Sequence, residues 1–347
     1  MSKADQLRAL AAERVLVKDG AYGTAIQKLG LGEAQFRGNV ALEREQRGNN
    51  DLLNLTHPQA VEEICSAFAE AGADVLATNT FNANAISQAD YDAEHLVEDI
   101  NVAAARIVRG VADKYSTEDK QRFVAGAVGP TNKTLSLSPD VADPGFREVS
   151  FDDVVEVYEG QVRALAEGGV DFILIETVFD TLNAKAGVMA VRNVERELGR
   201  ELPIMMSMTL TDLSGRNLSG HTVEAFWASI RHARPLTIGL NCSFGAEALR
   251  PALKALHARA ETLVMAYPNA GLPNDLGEYD EGPEETARQV EEWLAEGLVD
   301  IVGGCCGTTP AHIKAIADTV EGAAPRKAAA VETDMVLAGL EPLEVRA

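Results

Sequence analysis

Basic residues are scarce in this 347-residue chain: 31 Lys and Arg stand against 53 Asp and Glu, a formal net charge of -22. Such a field repels phosphate backbones, which excludes nucleic acid as a partner and makes solubility the plainest consequence of the acidity. No apolar run reaches the roughly 18 residues that a membrane span requires. The opening MSKADQLRALAAERVLV does not have the layout of a secretory signal. The chain is therefore expected in the cytoplasm, with no membrane association. Only four cysteines occur, two of them adjacent and none at framework spacing. That usage fits a reducing compartment better than a disulfide-stapled secreted fold.

What is present is a chain 46% hydrophobic, long enough to bury a large core. Eight short apolar runs end in turn or polar residues: Arg14–Gly20, Ala73–Phe81, Arg122–Pro130, Asp171–Val178, Pro203–Leu210, Thr237–Ser243, Leu263–Ala270 and Val299–Cys306. Each is almost continuously apolar, as parallel strands covered on both faces are. Between them, His57–Gly72, Phe151–Gly169, Thr222–His232 and Pro283–Gly297 carry apolar residues at three and four spacing and read as covering helices. Pro58, Pro251, Pro283 and Pro310 fit first-turn positions, and Gly72, Gly169 and Gly297 fit C-terminal caps.

Eight such alternations predict a (β/α)8 TIM barrel in one domain, residues 1–322, followed by a linker and docking tail, residues 323–347. A doubly wound open sheet is the alternative, disfavoured because no GxGxxG follows the first run. Two long connections, Leu29–His57 and Asn132–Ser150, follow strands and so belong to the face where barrels keep their active sites.

The stretch VDIVGGCCGTTP, Val299–Pro310, runs an apolar strand into two glycines and two cysteines. Adjacent cysteines bridge each other poorly, because their Cα atoms stand only about 3.8 Å apart. Cys242 in TIGLNCSFG ends another strand, and with Cys305 and Cys306 it makes three thiolates, an incomplete tetrahedron. Zinc held this way keeps one position open, as catalytic zinc does. Against this stands the plain packing of buried free cysteines, which is the reading taken for Cys65 on a helix. A zinc already bearing three thiolates generates hydroxide poorly but leaves a bound thiolate electron-rich, so sulfur alkylation is expected rather than hydrolysis. The other polar strand ends, Asp19, Thr78, Asn79, Glu176, Thr209 and Asn269, should converge on the same mouth. Glu176 closes an aliphatic run, where an unpaired carboxylate would be costly. Asp19 could face an ammonium while the amides near Gly20, Ala21 and Tyr22 hold a carboxylate.

The motifs DGAYGT, ATNTF, GAVGPTN, LIETVFDT, GLNCSFG, YPNAG and GGCCGTTP, spread over residues 14 to 320, closely resemble those of the homocysteine-binding module of cobalamin-dependent methionine synthases. The resemblance implies zinc on Cys242, Cys305 and Cys306, homocysteine entering as a thiolate, its amine held by Asp19 and Glu176, and Asn269 occupying the zinc when substrate is absent. It also implies methyl transfer from methylcobalamin to give methionine. Ala21 and Tyr22 depart from the family's DGGMGT wording, and no cobalamin-binding DxHxxG occurs. The expectation is therefore a half-enzyme, either a naturally split one whose folate- and cobalamin-binding modules lie on a separate polypeptide, which is preferred, or an excised fragment. Stand-alone methyl transfer from betaine or S-methylmethionine, and a non-catalytic zinc scaffold, are the rivals.

Overall fold

A computed structural model of the chain describes residues 1–345; the last two positions of the expected tail lie outside the described residues. The strands are β1 (Leu16–Val17), β2 (Val75–Ala77), β3 (Phe123–Val128), β4 (Phe172–Val178), β5 (Ile204–Met208), β6 (Thr237–Cys242), β7 (Leu263–Pro268) and β8 (Ile301–Val302). All eight predicted runs contain one. They pair in parallel in the order β1-β8-β7-β6-β5-β4-β3-β2. A parallel bridge from Lys18 to Val75 joins β1 to β2 and closes the ring. The fold is a TIM-type α/β barrel.

The helices are α1 (Lys3–Glu13), α2 (Tyr22–Lys28), α3 (Glu33–Arg37), α4 (Leu53–Thr56), α5 (Pro58–Glu70), α6 (Ala85–Gln88) and α7 (Val97–Tyr115), then α8 (Phe151–Gly168), α9 (Thr181–Leu198), α10 (Val223–Ile230), α11 (Ala246–His257), α12 (Pro283–Ala295) and α13 (Pro310–Val320). None is long and apolar enough to cross a membrane among the described residues. Pro58, Pro283 and Pro310 open their helices as expected. Pro251 does not: it lies inside α11, which begins earlier, after Gly245. Its ring is on the exposed side, where water can satisfy the carbonyl that its missing N–H leaves free.

Residues alternate along each strand, so one set points into the barrel and the other toward the helices. Leu16, Val75, Phe123, Phe172, Leu174, Met205, Met265, Tyr267 and Ile301 form the inner cluster, and Ala4, Leu7 and Ala11 of α1 join it. Helix α1 thus plugs the end opposite the mouth, a role that its short sequence did not announce. Val17, Leu76, Val124, Ile173, Met206, Ile238, Val264 and Val302 pack outward in the larger cluster against helix residues such as Phe68, Leu165 and Trp293. Cys65 is fully buried there, a packing residue as expected.

The tail ends in an antiparallel hairpin of β9 (Met335–Ala338) and β10 (Pro342–Val345). It is held to the barrel where Thr222 N–H donates to the Leu340 carbonyl, and by ion pairs from Arg216 to Glu341 and from Arg259 to Glu344.

Candidate active site

The strand ends β6 and β8 bring the three cysteines together as their spacing predicts. The Sγ atoms of Cys242, Cys305 and Cys306 all lie within 4.8 Å of one another, with Cys242 and Cys306 at 3.7 Å. Four ligands set tetrahedrally at the usual zinc–sulfur length put sulfurs about 3.8 Å apart, so this donor set fits zinc.

The backbone that presents them is unusual. Cys242 and Ser243 have φ of 59° and 64°, a left-handed conformation that non-glycine residues adopt at a cost and that concentrates at functional sites. On the other wall, Cys305 N–H donates to the Pro268 carbonyl at 2.7 Å, and the Thr308 hydroxyl donates to the Cys305 carbonyl at 2.6 Å. The glycines of GGCCG are required here. A Cβ on Gly304 would stand 2.5 Å from Thr308 Oγ1, and one on Gly307, at φ 81°, would stand 2.4 Å from the Tyr279 side chain.

Hydrogen bonds from the Cys242 and Cys305 thiols, helped by Tyr279, pull the Cys306 thiol far below its ordinary range despite burial. Its two neighbours, above all Cys305, are pushed up in turn. A bound divalent ion would favour the thiolate form of all three. Asn241 backs the cluster: its Nδ2 donates to Thr177 Oγ1 at 2.8 Å and lies 3.8 Å from Cys305 Sγ, while its Oδ1 accepts from Ser207 at 2.6 Å.

A cavity of about 360 Å³ opens beside the sulfurs. Gly20, Ala21, Tyr22, Thr78, Asn79, Glu176, Cys242, Cys305 and Cys306, all anticipated, line it. Three anticipated residues do not. Asp19 is buried behind the wall, its carboxylate accepting from Lys18 Nζ at 2.7 Å and Ala77 N–H at 2.7 Å. Thr209 pairs with the Ser243 hydroxyl outside the cavity. Asn269 is buried beside the β7 end, its Oδ1 without a hydrogen-bond partner among the described residues.

The structure adds residues that sequence reasoning passed over: Lys18, Asn50, Asp51, Thr177, Asn241, Tyr267 and Tyr279. Tyr267 donates its hydroxyl to Glu176 Oε2 at 2.9 Å. Burial raises the pKa of Glu176 against the pull of Lys18 and that hydroxyl. Burial would lower Lys18, but Asp19 and Glu176 outweigh it and keep the ammonium charged. The Asp51 carboxylate accepts from Asn82 N–H at 2.9 Å, and burial pushes its pKa up to about 7. The one available signal for Lys18 was a cation closing an otherwise apolar strand.

The family model described as homocysteine S-methyltransferase matches residues 16–320. The chain belongs to that family. Among solved structures it is similar to the homocysteine methyltransferase MmuM from Escherichia coli. The oxidized form matches with a TM-score of 0.71 and 22% identity, over 89% of this chain and 98% of that one. The metallated form matches with a TM-score of 0.69 and 23% identity, over 90% and 99%. At that identity the likeness is one of fold. Family membership supports a homocysteine methyltransferase, and the cysteine cluster is consistent with zinc.

Proposed function

We propose that the chain methylates the sulfur of homocysteine to give methionine, with methylcobalamin on a separate polypeptide as the donor. The observation that carries the reading is the gathering of three sulfurs within 4.8 Å of one another beside a cavity that also holds Glu176. Cys242, Cys305 and Cys306 would hold zinc, which when bound acidifies a thiol and keeps it nucleophilic at neutral pH. Glu176 orients the substrate ammonium, and the amides of Gly20, Ala21 and Tyr22 receive its carboxylate. Asp19 acts from behind the wall by holding Lys18. Asn79, whose Nδ2 donates to the Asn50 carbonyl, shapes the cavity, and Asn269 serves the resting centre.

Because the thiol proton leaves on binding, no general base is needed during transfer. The sulfur–carbon bond forms as the donor's bond to the methyl carbon breaks, and the departing group keeps that electron pair. The wording of the seven motifs favours methylcobalamin over betaine or S-methylmethionine. Residues 1–322 form the catalytic unit in this reading, the tail reaches the donor-bearing partner, and the four free cysteines suit a cytoplasmic setting.

Zinc-edge X-ray absorption on the purified chain tests the centre. Homocysteine should raise the sulfur count around the metal from three to four; an unchanged count would refute substrate binding at the metal. Methionine assays with each of the three donors then choose among them, and inactivity with all would favour the scaffold.

A further inference from the structure

Lys18 is 3% exposed, at the end of a strand that is otherwise apolar. An ammonium has three N–H donors. One goes to Asp19 Oδ1 at 2.7 Å, and no second acceptor bonds the group among the described residues. The side chain lines the cavity, with Nζ 4.5 Å from the centroid of the Tyr267 ring. The same Tyr267 donates its hydroxyl to Glu176. Lys18 and Glu176 form no ion pair with each other, although both line the cavity that the cysteines border. One aromatic side chain therefore holds a cation on its face and an anion at its hydroxyl. An amino-acid head group carries the complementary pair of charges.

We propose that Lys18 is a specificity-determining residue that joins the amides of Gly20, Ala21 and Tyr22 in receiving the carboxylate of the thiol substrate while Glu176 receives its ammonium. Asp19 is then a positioning residue: locked by Ala77 N–H, it fixes one N–H of Lys18 and leaves the others for the ligand. A buried cation whose only task was to balance Asp19 would not need to line the cavity. This inference rests on the reading that homocysteine binds there, and it adds that the site selects thiols bearing both charges.

The test is calorimetric titration of the zinc-loaded protein with homocysteine, with aminopropanethiol, which has no carboxylate, and with mercaptobutanoate, which has no ammonium. A charge-assisted hydrogen bond corresponds to a roughly 10- to 100-fold change in affinity. Wild type should bind homocysteine tighter than aminopropanethiol by about that factor. Lys18→Met should weaken homocysteine and mercaptobutanoate to a similar degree and leave aminopropanethiol within about 3-fold. Equal weakening of all three thiols would reduce Lys18 to a counter-ion and overturn the proposal. Should the variant not fold, wild type still decides: equal affinity for homocysteine and aminopropanethiol refutes the carboxylate contact. If no thiol binds wild type, the functional reading itself fails and this inference falls with it.

Discussion

The two ends of this barrel use buried carboxylates in opposite ways. At the floor, Asp74, Asp171 and Asp300 each stand just before an even-numbered strand and accept a backbone N–H from the odd-numbered strand beside it. The donors are Val17, Val124 and Val264, at 2.9, 2.8 and 2.7 Å. Each also has its own guanidinium: Arg14 at 2.7 Å, Arg109 at 2.6 Å and Arg326 at 3.2 Å. At the mouth, Asp19 pairs with Lys18, Glu176 accepts from the Tyr267 hydroxyl, and neither Glu176 nor Asp51 has an ion-pair partner among the described residues. A carboxylate with full partners holds strands in register, whereas one left short of partners retains attraction for a ligand. On the proposed function the floor serves stability and the mouth serves binding, although both sit in the same ring of strands.

Substitutions at the two ends should therefore separate along those lines. The largest effect is expected at the mouth from Cys306→Ser. It should abolish zinc retention and cut activity by more than the roughly 100-fold that losing an outer-sphere partner costs. Its melting temperature without metal should match that of the metal-free wild type, since Cys306 lies outside the barrel core. Metal analysis beside a thermal melt checks this, and an unfolded variant would mean that the cysteines are structural.

Arg326→Met inverts the pattern at the floor. The arginine also donates to the carbonyls of His257, Ala260 and Thr262. Its removal leaves Asp300 buried without a cation, at a cost of about 3–5 kcal/mol. Urea unfolding should register that loss while kcat per folded molecule stays unchanged. Proportional loss of kcat would couple the two ends and break the comparison.

Glu176→Gln should weaken homocysteine binding by roughly 10- to 100-fold, the value of one charge-assisted hydrogen bond, and leave zinc content intact. Equal loss of both would remove Glu176 as a substrate contact.

The last effect is graded with pH. Asp51 titrates near 7 when folded, against 3.8 as its ordinary value, so the unfolded chain releases this proton first. Its contribution is fully present below about pH 4 and is lost as pH rises through about 7, at no more than about 1.4 kcal/mol per pH unit. Stability curves for Asp51→Asn should be flatter across that window, and an unchanged slope would show that Asp51 is already ionised.

Much of this division was legible in the sequence. Continuous apolar runs located all eight strands, and cysteines at two strand ends marked the three-sulfur cluster. The inward or outward facing of each residue was not legible, because strands buried on both faces carry no polar alternation. Lys18 and Tyr267 were for that reason read as strand rather than as cavity wall. Tyr279 lay in an acidic loop whose path over Cys306 depends on tertiary packing against Gly307. Asp19 was expected to face the cavity, but its burial behind the wall and its engagement by Lys18 follow from side-chain direction, which spacing does not give. Pro251 looked like a helix start because proline favours that position, and α11 accommodates it on an exposed face instead.

The central claim is that the mouth activates homocysteine as a thiolate on zinc held by Cys242, Cys305 and Cys306. Methionine formation by the purified chain from homocysteine and free methylcobalamin, with and without a zinc chelator, tests it most directly. The account predicts turnover that the chelator abolishes and added zinc restores. Turnover that is indifferent to the chelator, or zinc-loaded protein inactive with methylcobalamin but active with betaine or S-methylmethionine, would contradict it, the first in its chemistry and the second in its donor.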